Sequence, residues 1–121
     1  MILTKKSEKL YKMDINKGVF AKICKEIQLQ SSFKIVMSSH GDDMMASAIV
    51  PNVSGNYILN LCMIDRSIQA FLLEPSNMQI RYCTELRTYK LDSLGEIIKC
   101  EDSDIDKYID DFVSEVISMC R

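Results

Sequence analysis

Near the end of the chain Ile105, Tyr108, Ile109, Phe112, Val113, Val116, Ile117 and Cys120 recur at intervals of three and four residues. At 3.6 residues per turn this spacing stacks all eight side chains on one stripe. The segment from about 103 to 120 is therefore predicted to be an amphipathic helix that needs an apolar surface to lie against. Ser103 stands where an N-cap belongs, and Asp104 and Asp106 suit the positive end of the helix dipole. The opposite face is acidic, carrying Asp106, Asp110 and Asp111.

A second helix is predicted from about 14 to 29, with Asp14 as its cap. Ile15, Val19, Ile23 and Ile27 are spaced four apart on one side, flanked by Phe20 and Cys24. Gly18 inside this stretch costs up to about 1 kcal/mol relative to alanine, which argues for a later start or for tertiary support. Residues 1–12 read as a flexible or frayed segment. Within it, positions 4–12 are open to a helical extension, a strand or a tail.

Between the helices the period changes from 3.6 to 2. From Met78 to Leu86 the even positions are mostly apolar and the odd ones mostly polar, the pattern of a strand with one wet face. Phe33, Ile35 and Met37 alternate similarly. Tyr57 to Ile64 and Ile68 to Leu73 are apolar on both faces, as central or covered strands are. Turn residues separate these runs at His40-Gly41-Asp42-Asp43, Pro51 to Asn56, Asp65-Arg66, Pro75-Ser76-Asn77 and Ser93-Leu94-Gly95. Connections this short carry no helical crossover. The expected fold is α+β: a mainly antiparallel sheet of five to seven strands flanked by the N-terminal and C-terminal helices.

A chain of 121 residues, 47% hydrophobic and 26% charged, suits one domain with one core, here residues 1–121. Its longest apolar runs are broken by Asp65, Arg66 and Glu74, short of the roughly 18 to 20 residues a membrane helix needs, so no membrane span is expected. The start, Met1 to Lys6, does not read as a secretory signal. Cys24, Cys62, Cys83, Cys100 and Cys120 are too dispersed for CxxC pairs. They read as packing thiols in a reducing compartment, and a cytoplasmic location is expected.

The net charge of −2 conceals a division. Residues 1–34 carry eight lysines against Glu8, Asp14 and Glu26, a net +5, while residues 101–121 carry seven acids against Lys107 and Arg121, a net −5. Helices lying side by side would offset each other's field; helices facing apart would make the molecule dipolar. The pI of about 5.4 is not that of a nucleic-acid-binding domain, and no such partner is expected.

Candidate chemistry is sparse. His40, the one histidine, stands beside Gly41, Asp42 and Asp43, a group able in principle to bind a divalent ion or act as a base. Ordinary turn chemistry accounts for the same four residues, with glycine supplying positive φ and aspartate bonding the backbone. The glycines are too far apart for a phosphate loop or a dinucleotide fingerprint, and no cofactor or metal is expected. Asn52-Val53-Ser54 matches a glycosylation acceptor but reads as a turn. Eight methionines, Met44 and Met45 among them, supply soft side chains of the kind used on adaptable partner surfaces.

The expectation that follows is a non-enzymatic protein-binding module: an adaptor, a secretion-type chaperone, or an inhibitor or immunity-like protein. Its candidate partner-binding residues are Met44 and Met45 on the sheet and Asp106, Asp110 and Asp111 on the acidic helix. In size and layout the chain resembles the dimeric chaperones of type III secretion, a resemblance of architecture that implies a protein partner and a homodimer. The alternative is a lipid- or small-ligand-binding domain of pleckstrin-like architecture, with a curved sheet closed by the last helix. A small enzyme or metal-binding protein using His40 with Asp42 and Asp43 stands third.

Overall fold

The described residues form ten elements. They are β1 (Lys5–Leu10), α1 (Lys17–Ser31), β2 (Val36–His40), β3 (Asp43–Asn52), β4 (Gly55–Ile64), β5 (Ser67–Leu73), β6 (Ile80–Arg87), β7 (Tyr89–Leu91), β8 (Ile97–Lys99) and α2 (Ile105–Met119). The computed structural model describes residues 5–10, 15–52, 55–64, 67–87, 89–91, 93–99 and 105–121.

Asn16, not Asp14, caps α1. Its backbone is extended and its Oδ1 accepts the Val19 N–H at 3.0 Å, satisfying one of the donors that a helix start leaves open. Asp14 lies outside the described residues. Gly18 explains the later start, because a Cβ there would come within 3.2 Å of the capping oxygen. The glycine sits in the first turn, where it makes room for the cap. At the other end Ser32 takes the left-handed conformation, φ 68°, and donates its N–H to the Gln28 carbonyl. The helix thus runs two residues beyond the predicted 29.

Strands β2 to β6 form an antiparallel meander in which each strand pairs with the next. This is the α+β layout expected, with five antiparallel strands between two helices. Residues 5–10 settle as a strand: β1 pairs with β6 in parallel, and the sheet order is β1-β6-β5-β4-β3-β2. The parallel pair departs from the meander because the chain crosses from one sheet edge to the other through α1. Strands β7 and β8 form a separate hairpin. Six strands in line, with β1 and β2 at the two edges, make an open sheet rather than the closed barrel of the pleckstrin-like alternative.

Several boundaries differ from the sequence reading for local reasons. The alternation beginning at Phe33 is an extended lead-in: Phe33 and Ile35 pack half-buried against the core, the Ile35 N–H is bonded to Gln28 Oε1 at 2.9 Å, and β2 begins at Val36. Pro51 and Asn52 continue β3 opposite Asn56 and Gly55, all four within the stretch expected as a turn, while residues 53 and 54 lie outside the described residues. Met78, at φ 58°, closes a tight loop through Met78 N–H to Glu74 O and Glu74 N–H to Gln79 O, which delays β6 to Ile80. The odd face of β6 is not all wet. Glu85, in register with Gln69, is 2% exposed and accepts from Gln69 Nε2 at 2.7 Å.

One face of the sheet is buried by both helices. Ala46, Ala48 and Val50 of β3, Leu59 and Leu61 of β4, Ile68 and Leu72 of β5 and Leu86 of β6 point to the core. Phe20, Ile23 and Ile27 of α1 and Ile109, Phe112, Val113 and Val116 of α2 cover them. The predicted apolar stripe of α2 is buried from Ile109 to Cys120, with Cys120 in the turn after the helix; Ser103, its expected cap, lies outside the described residues. The helices lie side by side, and the Lys22 ammonium donates to the Asp106 carboxylate, which raises the lysine pKa through that bond and its charge. The opposed charges of the two ends therefore meet. No described helix is long and apolar enough to cross a membrane.

Candidate binding face of the sheet

Because α1 and α2 both pack on one side, the other side of the meander carries no helix among the described residues. Alternation brings to it Val36, Ser38 and His40 of β2, Met45, Ser47 and Ile49 of β3, and Ile58, Asn60 and Cys62 of β4. The register sets them in rows: Val36–Ser47–Asn60–Phe71, Ser38–Met45–Cys62–Gln69 and Ile49–Ile58–Leu73. Val36 stands diagonally between Met45 and Ile49, a spacing within reach of side-chain contact. These three are 67%, 48% and 62% exposed. Ile58, Cys62 and Phe71 are half-buried behind them, and Ile64 is exposed at the end of β4. Two shallow depressions meet at Val36 and Ser47, one bordered by Met45 and Asn60, the other by Lys34, Ile49 and Ile58.

Strand β3 carries large apolar side chains on both of its faces. A strand with one buried face ordinarily sends its larger apolar side chains inward. Here Met44, Ala46, Ala48 and Val50 face the core, while Met45 and Ile49 face outward on either side of Ser47. Single exposed apolar residues are ordinary, whereas Val36, Met45 and Ile49 are diagonal neighbours on one sheet face.

The residues singled out from sequence do not form one surface. Met45 lies on the open face. Met44 points the other way and is half-buried against the core, as Met63 is fully. Asp106, Asp110 and Asp111 are exposed on α2, in the helix layer on the opposite side of the sheet from Met45, and Asp106 is engaged by Lys22. Sequence reasoning missed Val36 and Ile49. The alternation Met45-Ala46-Ser47-Ala48-Ile49 separates two sets of residues, but which set faces outward is decided by the helices and not by the sequence of the strand.

His40 is exposed, pairs with Asp43 across the β2–β3 hairpin and precedes Gly41 at φ 63°, the positive value a two-residue turn of type II′ requires at its first position. Lys17 Nζ donates to the Gly41 carbonyl at 2.9 Å and holds the turn against α1. Among the described residues no three His, Cys, Asp or Glu side chains gather as a metal site. The Cys24 and Cys120 thiols are pushed up to about 12 by burial, so both are protonated and poorly nucleophilic near neutral pH. Arg81 lies over the Tyr57 and Tyr82 rings, 5.9 and 5.7 Å from their centroids, and pairs with Glu74 at 3.3 Å, a fixture of the β4–β6 end of the sheet. No protein-family model, curated protein or solved structure matches the chain.

Proposed function

We propose that this chain is a non-enzymatic protein-binding module, of the adaptor, chaperone or inhibitor kind, and that it takes its partner on the helix-free face of the sheet. The observation that carries the reading is the exposed trio of Val36 on β2 and Met45 and Ile49 on β3, diagonal neighbours on the side of the sheet away from both helices. The partner this face suits presents apolar side chains on a flat or extended segment. Val36, Met45 and Ile49 supply apolar area at about 25 cal/mol per Å² covered, less the cost of ordering both surfaces. Ser38, Ser47 and Asn60 lie among them as hydrogen-bonding groups that fix orientation, and methionine adapts its shape to what it covers.

The test is a pull-down with the tagged chain from its native host, at low and high salt, run beside Ile49→Glu and beside Asp110→Asn/Asp111→Asn. One dominant partner that survives high salt, is lost with Ile49→Glu and is kept by the α2 variant is the expected result. Equal recovery by Ile49→Glu and the unmodified chain contradicts the reading.

A further inference from the structure

The two edges of the sheet are built differently. Strand β1, at one edge, contains Lys5, Lys6 and Lys9, and lysines on an edge strand discourage pairing with another chain. Strand β2, at the other, reads Val-Met-Ser-Ser-His with every residue exposed, and it contains no lysine, arginine, carboxylate or proline. His40 and Asp43 close a two-residue hairpin, so His40, Ser38 and Val36 exchange backbone bonds with β3. Met37 and Ser39, between them, turn their N–H and C=O groups out of the sheet. The next outward N–H, that of Ile35, is already bonded to Gln28 Oε1. The open ladder is thus confined to two residues at the middle of an uncharged strand.

We infer that β2 pairs antiparallel with β2 of a second copy of this chain, about a two-fold axis through Ser38. In that register Met37 faces Ser39 of the second copy and Ser39 faces its Met37, which forms four backbone hydrogen bonds from the groups that point outward. The same register brings Lys34 level with Asp42 of the second copy, and the symmetry repeats this ion pair at the other end. Lys34 and Asp42 are both exposed, and neither has an ion-pair partner among the described residues. No like charges stand opposite each other along the strand. Charge complementarity at both ends, with an uncharged middle, therefore favours this chain's own copy over an unrelated strand. The pairing joins two open faces into one continuous surface, and it does not depend on what that surface binds.

Sedimentation velocity of the full chain over a concentration series at low salt tests this. The expected result is a monomer–dimer equilibrium in which Ser39→Pro, which removes an outward N–H without touching the β3 ladder, is monomeric where the unmodified chain is dimeric. Lys34→Asp and Asp42→Lys should each weaken the dimer about tenfold, and the double variant should restore it, with circular dichroism confirming that each is folded. An unmodified chain that is monomeric throughout overturns the inference. So does a folded Ser39→Pro chain that dimerises undiminished, or a double variant that dimerises no better than the single ones.

Discussion

Thr84 Oγ1 donates a 2.8 Å hydrogen bond to Glu115 Oε1, tying β6 to α2 through a hydroxyl buried at the helix–sheet interface. Replacing Thr84 by the nearly isosteric valine keeps the packing and deletes the donor. A hydrogen bond to a charged group is worth about 1.5–3 kcal/mol, so Thr84→Val is expected to lower stability by an amount in that range. Urea denaturation with an unchanged slope and a lower midpoint is the signature to look for.

The two faces of α2 should respond oppositely to truncation. Phe112 is fully buried between the helices and the sheet, and Phe112→Ala is expected to cost about 3–5 kcal/mol. Asp111, its neighbour on the outer face, is exposed, and Asp111→Ala should fall within about 0.5 kcal/mol of the unmodified chain. Equal effects in thermal or urea unfolding would mean that the stripe is assigned to the wrong side.

Asn16→Ala should cost about 1 kcal/mol by leaving the Val19 N–H without its capping oxygen. Asn16→Asp preserves the acceptor and should restore the loss. The comparison separates the cap from any general effect of the position.

The helices and strand types were legible because each carries a periodic signal: eight residues at helical spacing along and just beyond α2, and a broken alternation around β6. What was not legible depended on single residues acting in three dimensions. Asn16 caps α1 with Gly18 leaving room beside its Oδ1, a local fit that periodicity does not report. Glu85 reads as a wet-face residue, yet it is buried and bonded to Gln69, a partner that only the β5–β6 register reveals. The candidate site was half legible. Met45 was named for its chemistry, but Val36 and Ile49 emerge only when the register sets them beside it and the helices are seen to cover the opposite face.

The thiols carry a pH signature. Below about pH 8.5 Cys24 and Cys120 are protonated in both the folded and the unfolded chain, and their contribution to stability is fully present. As pH rises further the unfolded chain releases these protons while burial holds them in the folded one up to about 12, so stability should fall progressively across that window. Cys24→Ala and Cys120→Ala should each flatten the decline relative to the unmodified chain. With Ellman's reagent at neutral pH, these two thiols should react only upon unfolding, after the half-buried Cys62 and Cys83.

Hydrogen–deuterium exchange of the purified chain, alone and with the partner recovered from its host, tests most directly whether the helix-free face is the recognition surface. The account predicts new protection in peptides spanning β2, β3 and β4, centred on Val36, Met45 and Ile49, with the outer face of α2 unchanged. Protection confined to α2 around Asp106, Asp110 and Asp111, with β2 to β4 unaltered, would contradict it.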